Sequence, residues 1–466
     1  MNKKFKLFKL NLKKYLFLIS AFFLLTSCYN KESNKIFLGG QIINPSSNYL
    51  RLYKNNTSID CLILDSNNSF KKTFSNLNPG IYKIEHIPEY QIIFLENNDS
   101  IWFRVNASDF KKSIVFSGKG SSKNNFLTNM ETNIDNENIF LASKYSLESD
   151  LFSKLIDSLV IVKKNEWKTM DSLNNLSQSA QKITMASYVY PYATIRERYA
   201  LLRGSNWNSK KDSLYFNYRK FLNFEETDLA FYDPYIDYVL NFLNEKSLDS
   251  SSYFFKNKKE TQFNIKRLKT LENAIFGREL KNNLARAIAY DEILNFDNHT
   301  QHESFLQFYF AINTNTKYLA EVLSLHNDIK MMNSGSLLPE IYLQNSKFDT
   351  INSKDVFNNK PSIIYFWSQS QMNHYKKTLT IIDSLKIKKP NYRFIGISIQ
   401  PLNKIALQVN EMLGQDNDDQ YSIINFENAS KKWIITYLNK AIIMEPNGEI
   451  KNGFSNIFDP KFLNQL

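Results

Sequence analysis

Cysteine is nearly missing from this chain: there are two, Cys28 and Cys61, in 466 residues. A disulfide-stapled framework needs several pairs, and a cysteine-rich zinc module needs about four thiolates, so neither can be built here. Any enzyme made from this chain must work with very little thiol chemistry. Glycine (12) and proline (11) are also sparse, and 43% of the residues are hydrophobic, which excludes collagen-like, disordered and coiled-coil classes. At about 150 residues per domain the length predicts two to four domains with sizeable cores.

What is there begins with a segmented N-terminus. Residues 1–14 carry six lysines and no acid, Tyr15 to Leu25 form an apolar run, and Leu25-Thr26-Ser27-Cys28 follows at once. That order is a positively charged region, an apolar core and a small-residue cleavage site, as in a secretory signal. The run is far shorter than the ~20 residues needed to span a bilayer as a helix. The Leu-x-Ser-Cys ending resembles the bacterial lipoprotein signal, in which the cysteine thiol is acylated and becomes the new N-terminus. The resemblance implies that residues 1–27 are removed, that Cys28 is the lipidation site, and that residues 28–35 form a polar tether. Acyl chains of this kind hold a protein on a membrane surface without crossing it. Removal of the signal takes away six lysines and lowers the formal charge from +12 to +6. A charge so small and so spread out does not predict a nucleic-acid partner.

Three regions with different periodicity follow. From residue 36 to 126 the pattern is strands and tight turns: Leu62 and Leu64 before Asp65-Ser66-Asn67-Asn68 and Phe70 read as a hairpin, and Ile101, Phe103 and Val105 alternate strictly. A small β-sandwich is expected. Cys61 falls in a predicted strand, where it is expected to be a small buried hydrophobe. The stretches Asn98-Asp99-Ser100-Ile101, Ser113 to Gly120 and Asn124-Asn125-Phe126-Leu127 are similar to the β-domain that precedes thioredoxin-like modules in Bacteroidetes-type lipoproteins.

From 127 to 334 the period is helical. Asp233-Pro234 predicts a helix start with a capping acid, followed by one face made of Tyr235, Tyr238, Val239, Phe242 and Leu243. The dense aromatics, Tyr188-Val189-Tyr190-Pro191-Tyr192 among them, are expected to fill the core between helices rather than form a stacking platform. His299 and His302, beside Asp297 and Glu303, bring two imidazoles within one turn. A zinc site needs three or four ligands, so the expectation is solvent-exposed residues at a helix start and no metal.

From 335 to 466 strands and helices alternate. Lys360 to Trp367 is a buried strand, Met372 to Lys386 a helix, Tyr392 to Ile399 a second strand, and a further helix reaches about Leu413. A short segment spans Tyr421 to Ile424, a helix runs from Ala429 to Tyr437, and a hairpin turns at Pro446-Asn447-Gly448. Tyr365-Phe366-Trp367, the helix after it, Phe394-Ile395-Gly396-Ile397-Ser398 and Glu445 to Ile450 make this region resemble the TlpA-like branch of thioredoxin-fold proteins. In active members a Cys-x-x-Cys opens the helix after the tryptophan, and a cis-proline sits across from it. Here those four positions read Gln371-Met372-Asn373-His374, and the proline position falls on Asn439.

The chemistry follows from those substitutions. One thiolate must attack a disulfide and the second must resolve the mixed disulfide. Gln371 has no ionisable nucleophile, and the His374 imidazole cannot close a disulfide. The fold class expected is therefore multidomain: a β-sandwich, an all-α region and a C-terminal α/β thioredoxin-like fold. Its expected function is that of a lipid-anchored envelope protein with a redox-inactive, binding or scaffolding thioredoxin-like domain and no cofactor. A peptide or protein partner would lie in the groove beside Trp367, and His374 is either a ligand-contacting group there or a remnant at the surface. The alternative is a periplasmic thiol-disulfide oxidoreductase-related protein that works with partner thiols.

Overall fold

The computed structural model describes residues 34–203, 214–248, 261–294, 302–357 and 360–466. Cys28, the expected signal and His299 lie outside these residues.

Alternating apolar residues build eight strands at the N-terminal end: β1 (Lys35–Ile43), β2 (Tyr49–Lys54), β3 (Thr57–Ile63), β4 (Ser69–Ser75), β5 (Gly80–His86), β6 (Glu89–Leu95), β7 (Ser100–Asn106) and β8 (Val115–Lys119). They form two four-stranded sheets, ordered β4-β1-β7-β8 and β3-β2-β5-β6. Leu38, Phe70 and Phe103 from the first and Leu52, Tyr82 and Ile93 from the second share one buried cluster. Each such side chain contributes about 1.5–3 kcal/mol by leaving water. Ile101, Phe103 and Val105 are all buried, as their alternation predicts.

Two expectations fail here. The Asp65–Asn68 turn forms, with Asn68 N–H donating to Asp65 O at 2.9 Å, but β3 and β4 separate into different sheets instead of pairing as a hairpin. Cys61 is exposed, because Leu62 next to it takes the inward face of β3 and the side-chain period is two. On the same outward face Ile63 is 63% exposed.

The central region consists of helices α1 (Ser121–Ala142), α2 (Ser149–Asn174), α3 (Gln178–Arg203), α4 (Asp233–Ser247), α5 (Thr261–Ala274), α6 (Arg278–Ile293), α7 (His302–Ile312) and α8 (Thr316–Lys330). Helix α1 begins inside the stretch expected to close the β-domain. Asp233 is the first residue of α4, and its side chain makes no capping bond; Pro234 occupies the first turn. Tyr188, Tyr190 and Tyr192 are buried, and Tyr190 meets Tyr235 edge-on at 4.8 Å, so these rings are core. His302 opens α7 but is 1% exposed, its Nε2 3.9 Å from the buried Glu292, which overturns the solvent-exposed expectation. Among the described residues no group of three His, Cys, Asp or Glu side chains is placed to hold a metal ion, and no helix is long and apolar enough to cross a membrane.

The C-terminal region carries one seven-stranded sheet in the order β10-β9-β13-β12-β11-β14-β15. Its strands are β9 (Tyr342–Gln344), β10 (Thr350–Asn352), β11 (Ser362–Trp367), β12 (Arg393–Ser398), β13 (Gln420–Ile423), β14 (Lys440–Met444) and β15 (Ile450–Asn456). Strands β11, β12 and β13 are parallel to one another, and β14 and β15 run as the expected antiparallel hairpin. Helices α9 (Met372–Lys388), α10 (Lys404–Met412) and α11 (Phe426–Lys432) complete it. Helix α11 starts and ends earlier than the sequence predicts.

All six residues of β11 are buried because both faces are covered. On one face Ile363, Tyr365 and Trp367 pack with Tyr375, Leu379 and Ile382 of α9. On the other, Ile364 and Phe366 join a cluster that includes Leu268, Val322 and Ile329 of the central helices. The sheet and the helices thus share a core.

Two adjacent asparagines dock α1 on the β-sheets. Asn124, fully buried, accepts from Phe94 N–H at 2.7 Å and donates to Phe94 O at 3.0 Å on β6; Asn125 accepts from Phe116 N–H at 2.9 Å and donates to Phe116 O at 2.8 Å on β8. Beside them the buried Lys123 pairs with Glu96 at 2.7 Å and Asp99 at 2.8 Å. Gly120 holds φ at +91°, and a Cβ there would meet the Asp99 carboxylate at 2.3 Å. Asn124→Ala leaves a buried N–H and C=O of Phe94 unpaired, so it should lower the unfolding free energy by about 2 to 4 kcal/mol. Urea denaturation of the two chains checks this, and a shift of the midpoint too small to measure would remove the clamp from the account.

Candidate functional site

The site is built at the C-terminal end of β11. The strand delivers Trp367, whose ring stacks on Tyr375 of α9 at 4.4 Å with an interplanar angle of 11°. The loop that follows is tied to the β12–α10 connection. Ser368 Oγ donates to Gln400 Oε1 at 3.0 Å, Gln369 N–H donates to the same oxygen at 2.7 Å, and Gln369 Nε2 donates to Pro401 O at 2.8 Å. Asn403, the N-cap of α10, in turn donates to Gln369 Oε1 at 3.1 Å. A loop bonded in this way is held open in one shape.

Gln371 precedes the first turn of α9 and is exposed, with no side-chain capping bond. Met372 is half-buried and Asn373 exposed. His374 is half-buried, and its Nε2 lies 2.7 Å from Asn439 Oδ1, 65 residues away in the chain. With the amide oxygen accepting, Nε2 carries the proton. The other nitrogen, Nδ1, is buried without a hydrogen-bond partner. Phe458 packs on the ring at 5.3 Å between centroids. The structure therefore brings Trp367, His374 and Asn439 to one end of the sheet, and a hydrogen-bonded pair joins two of the positions singled out in the sequence. Such a pair donates and accepts hydrogen bonds but forms no disulfide.

Lys440, the next residue after Asn439, is buried. Its Nζ donates to Gly453 O at 2.5 Å and lies 4.5 Å from the centre of the Phe454 ring. Burial pushes its amine down to about 7. Cys61 lies elsewhere, on the edge strand β3, where its register partner Arg51 reaches across to Glu427 of α11 at 2.9 Å.

Beside the loop is a cavity of about 540 Å³, closed on its far side by Asn44 to Ser46 and by Ala107 and Ser108 from the β-sheets. Trp367, Gln369, Gln400 and Asn403 line it, with an aliphatic wall that includes Ile405 and Val409. None of its lining residues is charged. Ile405 is 72% exposed. The sequence did not point to Gln400, Asn403 or the two β-domain loops. An Asn before a helical run is a capping signal, but nothing local tells which distant loop it will face.

Comparison with known proteins places likenesses beside this geometry. No protein-family model matches the chain, and no curated protein matches it. Among solved structures it is similar to a thioredoxin-like protein from Bacteroides caccae, at 9% identity over 57% of this chain and 90% of that one, with a TM-score of 0.29. It is also similar to a thiol-disulfide oxidoreductase from Bacteroides fragilis, at 19% identity over 28% and 95% of the two chains and a TM-score of 0.22. A third likeness is the thioredoxin domain of a thiol-disulfide oxidoreductase from Bacteroides vulgatus, at 18% identity over 25% and 85% and a TM-score of 0.22.

The buried lysine yields a prediction with a definite sign. Below about pH 7 Lys440 is charged in both states and the cost of burying that charge is fully present; between about 7 and the ordinary 10.5 the folded state sheds its proton first, so the group's contribution to stability improves as pH rises. Lys440→Met lacks this dependence. Its stability relative to the parent should fall by roughly 2 kcal/mol from pH 6 to pH 9, measured by denaturant unfolding at each pH.

Proposed function

We propose that this chain is a lipid-anchored cell-envelope protein whose C-terminal region, 335–466, is a thioredoxin-like module that binds a polypeptide partner without redox chemistry. One observation carries the reading: the two reactive positions are Gln371 and His374, and the imidazole is bonded to Asn439 instead of facing a thiol. The order β11, α9, β12, then the antiparallel β14–β15 hairpin, supports the thioredoxin-like assignment. The β-sheets (36–126) and helices (127–334) act as its scaffold, and the cavity beside Trp367 supports a neutral peptide or protein surface as the occupant. Anchoring is through Cys28 on an envelope membrane, the outer membrane in this reading, with the folded part facing the periplasm. Nucleic acid has no place in it.

One observation favours the second reading, a redox helper that works with partner thiols: Cys61 is exposed instead of packed. Two measurements separate the possibilities. In an insulin-reduction assay with a chemical reductant, catalytic amounts of the purified soluble part should give no acceleration over buffer; clear turnover would sink the redox-inactive reading. In cells grown with radiolabelled palmitate the protein should take up label and Cys28→Ser should not, and label that survives the substitution would overturn the anchor.

A further inference from the structure

A second cavity, of about 220 Å³, lies where β6, α1, α3 and α4 meet, and none of its lining residues belongs to the loop beside Trp367. Its floor is apolar, with Leu127, Ile134 and Ile195 buried there. Two polar side chains in its lining are buried and incompletely bonded. Gln91, 2% exposed, donates to Glu131 at 3.0 Å, yet its Oε1 accepts from nothing. Thr194, 5% exposed, has no partner for Oγ1. Pro191 adds a further acceptor: it has no N–H for the Ser187 carbonyl one turn earlier in α3, and both residues line the cavity. A buried acceptor without a donor costs free energy, and a ligand rich in N–H groups would relieve it.

The rim has a sign. Asp135, Asp233 and Asp237 stand on it, and among the described residues none of the three closes an ion pair with a lysine or arginine. Tyr90 donates to Asp233 at 3.4 Å, while Glu131 is already paired with Lys111 at 2.8 Å. Arg198 is the only cation in the lining among the described residues. Partial burial raises the Asp233 and Asp237 carboxyls above the usual carboxylate range, and for Asp233 the neighbouring Asp237 adds to this. Three carboxylates without a direct ion pair thus stand at one cleft, with Lys83, Lys111 and Arg198 as the cations nearest to them. These carboxylates do not converge tightly enough for a metal ion.

We propose that this cavity binds a small organic cation, a primary ammonium or guanidinium on a short aliphatic stem. Its N–H groups bond to Gln91 Oε1 and Thr194 Oγ1, its stem lies on Ile134 and Ile195, and the rim aspartates balance its charge. The assignment is independent of the thioredoxin-like reading. Calorimetric titration of the purified chain with n-butylammonium and n-butylguanidinium, and with 1-pentanol as a neutral match, tests it. Saturable binding of at least one cation, none of the alcohol, and weakening with added salt are expected. The double substitution Asp233→Asn/Asp237→Asn should reduce affinity about tenfold. Thr194→Val removes only a hydroxyl that has no partner in the fold; it should weaken the cation roughly threefold or more with no loss of thermal midpoint, and it decides alone if the double variant does not fold. Absence of saturable binding by both cations, equal binding of the alcohol, or full affinity retained in Thr194→Val would overturn the proposal.

Discussion

The structure hangs on how α1 meets the two β-sheets. Strands β6 and β8 are the outer strands of different sheets, and each presents backbone groups with no further strand to bond. Asn124 and Asn125 fill that role with their carboxamides, one on Phe94 and the other on Phe116. A side-chain amide copies the donor and acceptor pair of a peptide unit, so two adjacent residues end two sheets at once. Lys123, buried between Glu96 and Asp99, gives both carboxylates a cation at this junction. A charge so placed needs its partners, which explains why Gly120 leaves room for the Asp99 carboxylate. With α1 held in this way, α3 and α4 pack against it and against β6, and their shared cavity is a direct result.

The second constraint is the burial of β11 on both faces. Because α9 covers one face and Trp433, within the core shared with the central helices, meets Phe366 on the other, the strand is held on both sides; Trp367 stacks on Tyr375, and the loop after it is tied to Gln400. The positions around it then acquire definite partners. His374 and Asn439 form a hydrogen-bonded pair, and Lys440 behind them gives up solvent for a carbonyl and a ring face. The result is a rigid end of a sheet equipped for hydrogen bonding.

Much of the architecture is legible residue by residue. The apolar run Ile363 to Trp367 announces a strand covered on both sides, Pro446-Asn447-Gly448 announces the hairpin, and the segments between Asn98 and Leu127 marked by turns and small residues hold the α1 side of the docking junction and its partners Asp99 and Phe116, while Phe94 and Glu96 lie before them. The errors have a common cause. Asp65-Ser66-Asn67-Asn68 has the chemistry of a hairpin turn, and turn chemistry settles the reversal of the chain but not the strand with which it pairs afterwards. Cys61 falls on the outward face of β3, since period two states that neighbours alternate without stating which set faces the core. The burial of His302 depends on Glu292 and His326, which come from other helices and which no local pattern shows.

By itself the sequence determined what the chain cannot do at positions 371 and 374, since a carboxamide and an imidazole keep their chemistry in any fold, and it determined the three regions of strand, helical and alternating period, since those periods are local, with boundaries that shift at α1 and α11. Only the tertiary structure decided which strands share a sheet, which side of β3 meets water, that His374 meets Asn439 across 65 residues, and that unpaired carboxylates from two helices ring one small cavity. Those are choices among distant partners, made by the burial of shared surface and by hydrogen bonds that no local pattern encodes.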